Sequence, residues 1–163
     1  MKSKSTPMKF PASHPTLLLD ELTLKAVSAQ DMAELEIIVS YRPEKDRTAQ
    51  QLLELIDQTF EDKSSINWGV YLQDKLIGTV GFYRGFKDDK GEVGYVTIEK
   101  YRRKGYTAKA IQAVLDYGLS VMELKIIDAQ TLPDNLPSRA LLKKLGFYLT
   151  EEKEAPYLIF RLK

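Results

Sequence analysis

The stretch VGYVTIEKYRRKGYTAKAIQAVLDYG (residues 93–118) decides the fold, because it joins a strand to a helix through a short basic loop. Residues 92–98 read as a β-strand. From Gly105 the pattern turns helical, with Ile111, Val114, Leu115, Gly118 and Met122 on one face. Between the two lie Arg102, Arg103, Lys104 and Gly105. A helix N-terminus presents unpaired N–H groups and partial positive charge, and a glycine lets a ligand approach the backbone closely. Neither the G-x-x-x-x-G-K-[ST] phosphate loop nor the three-glycine dinucleotide fingerprint is present. On the loop alone, an anion site and a solvated basic turn before an amphipathic helix describe the segment equally well.

Working outward toward the N-terminus, LTLKAV (residues 22–27) alternates as a half-buried strand. Ser28 and Asp31 then form an S-x-x-D capping pattern into a helix reaching Val39. Pro43 interrupts, and residues 51–60 carry a second helical pattern that ends at the polar turn EDKSS. Residues 66–73 and 76–86 are β-rich runs around a two-residue turn placed at Asp74-Lys75. Together with residues 92–98 they predict three consecutive antiparallel strands ahead of the basic loop. Trp68 and Phe60 read as core residues. Tyr83, Arg84 and Phe86 are placed toward the acceptor side from strand order.

Toward the C-terminus, residues 124–129 form an apolar strand and residues 135–145 a helix, with Pro137 tolerated in its first turn. Gly146 and Phe147 stop that helix. Residues 147–150 and 157–162 are two short strands. The order β α α β β β α β α β β predicts an α/β domain with a mixed sheet.

The chain has 163 residues, 44% hydrophobic and 29% charged, the mix expected of one compact globular domain over 1–163. It contains no cysteine, which excludes disulfides, thiolate metal sites and a thiol nucleophile. The net charge of +1 comes from 24 basic and 23 acidic residues mixed along the chain, so no global field favours nucleic acid. No run reaches the roughly 18 apolar residues that span a bilayer, so no membrane association is expected and a cytoplasmic location is the default reading. Residues 1–16, rich in proline and serine, read as a loose arm, and His14 within them as a mobile surface residue.

A set of short motifs, spaced along the chain in the expected order, resembles one family. Arg102-Arg103-Lys104-Gly105-Tyr106-Thr107 is similar to the acyl-CoA pyrophosphate loop of GNAT N-acyltransferases, with Thr107 departing from the usual small last residue and Ala108 following. Glu92-x-Gly94-Tyr95 resembles the preceding strand in the branch of ribosomal-protein N-terminal acetyltransferases. Asn135-x-x-Ser138-Arg139 and Lys144-Leu145-Gly146-Phe147 resemble that branch's N-x-x-S and K-x-G-F signatures. The resemblance spans residues 92–147. It implies a GNAT fold, whose mostly antiparallel sheet is flanked by about four helices and splayed at the strand carrying Val96.

The resemblance also implies roles. The backbone of Val96, Thr97 and Ile98 pairs with the pantetheine arm of acetyl-CoA, or else forms an ordinary ladder. Arg103, Lys104, Gly105, Tyr106, Thr107 and Ala108 hold the pyrophosphate, and an N–H near Val96 faces the developing oxyanion. Asn135 caps its helix, contacts the cofactor, or does both. Ser138 donates a proton to the leaving thiolate or acts as a second cap. Lys144 covers the adenosine end or is simply solvated. Glu92 is the candidate base, directly or through water, with a plain strand-edge charge as the alternative. Tyr148 and Tyr157 are candidates to line the acceptor cleft or to protonate the thiolate.

The implied activity is acetyl transfer from acetyl-CoA to a primary amine in a ternary complex. The acceptor is a protein N-terminus, a polyamine or another small amine. No metal is required, and the protein is a monomer or homodimer. A non-catalytic CoA-binding or partner-binding module with the same fold is the alternative.

Overall fold

The computed structural model describes residues 7–163. In chain order the elements are β1 (Leu17–Leu18), β2 (Leu22–Lys25), α1 (Met32–Ser40), α2 (Ala49–Glu61), β3 (Ile66–Leu72), β4 (Lys75–Lys87) and β5 (Lys90–Thr97). They continue with α3 (Tyr106–Ser120), β6 (Ile126–Thr131), α4 (Leu136–Lys144), β7 (Phe147–Glu154) and β8 (Tyr157–Leu162). The strands form one sheet in the order β1-β2-β3-β4-β5-β6-β8-β7, antiparallel except for the β5–β6 pair. The mixed sheet and four α-helices agree with the architecture expected from the sequence.

Alternation along the strands divides the apolar residues between the two sheet faces. On one face Trp68, Phe82 and Phe160 are fully enclosed beneath α3 and α4, with Ile111, Val114 and Leu142. On the other, Leu35 and Ile38 of α1 and Leu53 and Ile56 of α2 cover Tyr71, Leu76 and Ile98. The Ser28 and Asp31 capping box forms as predicted, the Ser28 N–H donating to the Asp31 carboxylate at 2.9 Å. That carboxylate also accepts from the Tyr71 hydroxyl at 2.6 Å, tying the first helix to the sheet. Burial, reinforced by Asp31, pushes the Tyr71 hydroxyl far above its ordinary range.

Several boundaries differ from the sequence reading. The β3–β4 turn is Gln73-Asp74, both with left-handed φ, so β4 begins at Lys75, one residue earlier than the hairpin pattern placed it. β7 extends through the polar run to Glu154, because the turn falls at Ala155-Pro156.

The arm expected to be loose is a packed segment where it is described. Residues 7–16 lie against the domain, and residues 1–6 fall outside the described residues. The Lys9 N–H donates to the Met122 carbonyl at 2.7 Å, and Phe10 packs 5.1 Å from Phe60. His14 is not a mobile surface residue: its Nε2 lies 2.8 Å from the Asn67 carbonyl and its ring sits between Phe60 and Trp68. The segment lacks periodicity because it is irregular backbone whose polar groups are satisfied by tertiary partners.

What positions the site is the β5–β6 pair. Their parallel ladder covers only Lys90↔Ile126, Gly91↔Ile127 and Glu92↔Asp128. Beyond Glu92, β5 remains paired with β4 through Thr97 while β6 pairs with β8, so the sheet opens into a wedge. Asp128 anchors the closed end of that wedge. It is buried, accepts a bidentate bond from Arg161 at 2.7 and 3.0 Å, and lies 3.0 Å from Lys90. Burial opposes its ionisation, but Arg161 and Lys90 outweigh that and hold its carboxyl below the ordinary aspartate range.

A depressed native value contributes stability above the unfolded value and loses it as pH falls through the native one. Asp128→Ala is therefore expected to lower the melting temperature by about 5–10 °C at pH 7, because it leaves Lys90 without its carboxylate and Arg161 with only Glu152 at the hinge of the wedge. As pH falls below the ordinary aspartate range the difference from wild type should shrink, which thermal scans across pH will measure. A pH-independent difference would show that the loss is packing rather than charge.

Among the described residues, no helix is long and apolar enough to cross a membrane.

Candidate active site

Antiparallel strands direct N–H and C=O alternately to opposite sides. The Ile98 N–H donates to the Ile77 carbonyl of β4 at 2.8 Å, so the Val96 groups also face β4. The groups that face the wedge are those of Val93, Tyr95 and Thr97. Of these, the Thr97 carbonyl already accepts from Arg102 Nε at 2.8 Å. The open donors nearest Val96 are thus the flanking amides of Tyr95 and Thr97.

Past Thr97 the chain makes one 3-10 turn, Glu99–Tyr101, and then the basic loop. Arg103 (φ 63°) and Gly105 (φ 84°) both take left-handed backbone, which turns the chain sharply into α3. Gly105 stands at the N-cap with no side-chain cap, whereas Thr48 and Asn135 cap α2 and α4. The first turn of α3 therefore keeps its donors free, and a Cβ on Gly105 would meet no atom within 4 Å. Arg102, Arg103 and Lys104 are exposed around it. Uncapped donors, an open approach and three cations suit a pyrophosphate. The Thr107 hydroxyl turns inward to hydrogen-bond that of Thr97, so the departure from the small residue expected there ties the helix to the end of β5 and does not block the loop.

Across the wedge, the Asn135 side chain accepts from the Ser138 N–H at 3.2 Å, the capping role foreseen for it. The Ser138 hydroxyl is 2.6 Å from the Tyr95 hydroxyl. This bond bridges α4 and β5 over the gap between their strands. Burial raises the Tyr95 hydroxyl, with the Ser138 bond opposing, so Tyr95 stays protonated at neutral pH.

Glu92 sits where the ladder ends. Opposite it, Tyr83, Arg84 and Gly85 bulge out of β4, since Phe82 pairs with Val93 and Phe86 with Gly91. Such a bulge re-aims side chains. Here Arg84 Nε comes within 3.6 Å of the Glu92 carboxylate, and its guanidinium lies 5.6 Å from the Tyr157 ring centre. Burial raises the Glu92 carboxyl above its ordinary range; Arg84 counters this, while Glu154 and Asp128 add to it.

A cleft of about 340 Å³ gathers Glu92, Tyr95, Asn135, Ser138 and Tyr157. A second cavity, of about 270 Å³, lies between α1, α2 and the sheet and shares Arg42, Tyr83 and Arg84 with the first. Burial lifts the Tyr83 hydroxyl up to about 12, against the pull of Thr79 and Arg42.

The structure thus brings together Glu92, Asn135, Ser138 and Tyr157. It does not bring Tyr148 there: that residue is exposed on the edge strand β7, in register with Arg161, and lines neither cavity. Lys144 is exposed at the far end of α4 from Asn135. Tyr95 as the partner of Ser138 was missed, because a hydroxyl pair 43 residues apart leaves no local pattern. Among the described residues, no group of three or more His, Cys, Asp or Glu side chains is placed to hold a metal.

A sheet that splays beside a basic glycine loop and an uncapped helix is the architecture of an acyl-CoA-dependent transferase. The chain belongs to the GNAT acetyltransferase family, whose domain matches residues 18–148. It is 33% identical over 147 residues to the uncharacterized N-acetyltransferase YoaA of Bacillus subtilis (strain 168), covering 82% of each chain. The GNAT-family acetyltransferase structure from Bacillus anthracis superposes with a TM-score of 0.74 at 25% identity, over 91% of this chain and 98% of that one. The microcin C7 self-immunity acetyltransferase MccE, in complex with acetyl-CoA and AMP, shares the fold with a TM-score of 0.74 at 18% identity, over 88% and 92%. The protein is accordingly an acyltransferase that acts on amines.

Proposed function

We propose that this protein transfers an acetyl group from acetyl-CoA directly to a primary amine in a ternary complex, in the cytoplasm and without a metal. The observation that carries this is the placement of one elevated carboxyl, Glu92, and one hydrogen-bonded hydroxyl pair, Ser138–Tyr95, around a single cleft at the open edge of β5. Acetyl-CoA supplies the activated acetyl group when bound.

The first turn of α3, with Arg103 and Lys104, receives the diphosphate, and the Tyr95 and Thr97 backbone at the wedge receives the pantetheine amides in strand-like pairing. Glu92 takes the proton of the attacking amine, directly or through a water. A C–N bond forms as the C–S bond breaks; the departing sulfur gains a proton from the Ser138 hydroxyl as the Tyr95 hydroxyl passes its own to Ser138, and solvent carries the proton taken up by Glu92 back to Tyr95, so no charge is left on the protein. Tyr95, held neutral by burial, keeps that hydroxyl aimed into the cleft. No acyl group rests on the protein at any stage, in keeping with a chain that contains no cysteine.

Release of free thiol from acetyl-CoA across a panel of primary amines tests this reading. Acceptor-dependent release is expected. Acetyl-CoA binding by calorimetry with no turnover on any amine class would sink it. Tyr95→Phe is expected to lower kcat about 10-fold with little change in the KM for acetyl-CoA, since it removes one hydrogen bond to the donor and leaves the loop intact. Steady-state kinetics with acetyl-CoA varied will separate the two constants.

A further inference from the structure

We propose that the acceptor amine carries an oxyanion, a carboxylate or phosphate, and that Arg42, Arg47 and Lys45 hold it in the cavity beyond Tyr83. This rests on the acetyl-transfer reading of the neighbouring cleft and deepens it by naming the substrate class.

Four cations, Arg42, Lys45, Arg47 and Arg84, line the 270 Å³ cavity between α1, α2 and the sheet, and no carboxylate lines it. The excess is local, because basic and acidic residues nearly balance over the chain, 24 against 23. Arg84 has a partner in Glu92, at the boundary with the catalytic cleft. Among the described residues, Arg42, Arg47 and Lys45 form no ion pair with any carboxylate. Two carboxylates interleave with them in sequence: Glu44 lines the adjoining cleft, and Asp46, between Lys45 and Arg47, is exposed and lines neither cavity. Unpaired like charges grouped around one cavity repel each other, and a bound anion relieves that repulsion.

The two cavities adjoin, with Arg42, Tyr83 and Arg84 in the walls of both; the carboxylates Glu44 and Glu92 line only the outer cleft, and Lys45 and Arg47 only the inner cavity. Glu92 marks the amine end. The arginine cluster marks the other, and guanidinium groups match planar carboxylates and phosphates through paired N–H donors. In the same inner cavity Ile38, Leu52, Ile56 and Val96 offer an apolar wall. An acceptor with an amine, a short apolar body and an oxyanion fits this set of surfaces. A polyamine meets four cations and no carboxylate in the inner cavity.

The test uses the CoA-loaded protein, so that binding is read without turnover. Calorimetry compares 3-aminopropyl phosphate and an ω-amino carboxylate with 3-aminopropanol and spermidine. The phosphate or the carboxylate is expected to bind at least about 10-fold more tightly than the neutral alcohol or the polyamine, as charge-assisted bonds require. The two anionic arms identify which oxyanion is preferred. In the Arg42→Gln/Arg47→Gln double variant that preference is expected to fall below about 3-fold, with acetyl-CoA affinity and melting temperature unchanged.

Spermidine or the alcohol binding as tightly as both anionic amines overturns the proposal, as does absence of any anionic-amine binding. A double variant that retains the full preference also overturns it. Thiol release is measured separately: tight anionic-amine binding with no turnover on any acceptor leaves the oxyanion site standing and removes the catalytic reading. Turnover confined to cationic amines does the reverse.

Discussion

Glu92→Gln is expected to lower kcat/KM for the amine by about 10²–10³-fold at neutral pH while leaving acetyl-CoA affinity unchanged. The amide keeps the shape of the side chain and its place opposite the β4 bulge, but cannot accept the amine proton. The pH profile gives a second readout. Burial raises the Glu92 carboxyl, and the basic form is the ionised one, so the wild-type rate should fall as pH drops through that elevated value. That acid limb should vanish in the variant. A variant keeping a third or more of the activity, or showing the wild-type acid limb, would move the base elsewhere.

Arg84 gives a related contrast. Its guanidinium favours the ionised form of Glu92, so Arg84→Met shifts the acid limb of kcat/KM toward higher pH. Rate measurements between pH 5 and 8 will show the direction. A shift toward lower pH would mean that the ion pair is not formed in the working enzyme.

The parts of the fold that were legible in the sequence are those fixed by neighbouring residues. Ser28 and Asp31 announced a capping box, and the run from Arg102 to Ala108 announced a glycine turn into a helix, because caps and turns are made within a few positions of chain. Asn135 was legible for the same reason. The site's other half depends on registers and long-range contacts. The Tyr83-Arg84-Gly85 bulge exists only relative to Val93 and Gly91 on the next strand, so β4 alone reads as one regular strand. Tyr95 and Tyr157 are two of nine tyrosines, and only the tertiary fold separates them from the exposed Tyr148. The segment at 7–16 was misread because its order comes from Trp68, Phe60 and Asn67, all more than forty residues away.

Gly105→Asn is expected to weaken acetyl-CoA binding at least about 10-fold while lowering the melting temperature by no more than about 3 °C. Asparagine enters left-handed backbone more readily than other residues with a Cβ, so the sharp turn at φ 84° survives the change. Within the protein the new side chain meets nothing, since no atom lies within 4 Å of a Cβ built there. What it does occupy is the approach to the free donors of α3, the space assigned to the diphosphate. Gly105→Val supplies the control: it adds backbone strain of about 1–2 kcal/mol and should destabilise the fold as well as weaken binding. If the asparagine variant bound acetyl-CoA as tightly as wild type, the diphosphate would not lie over Gly105. The free donors of the first turn of α3 would then face solvent or a different anion.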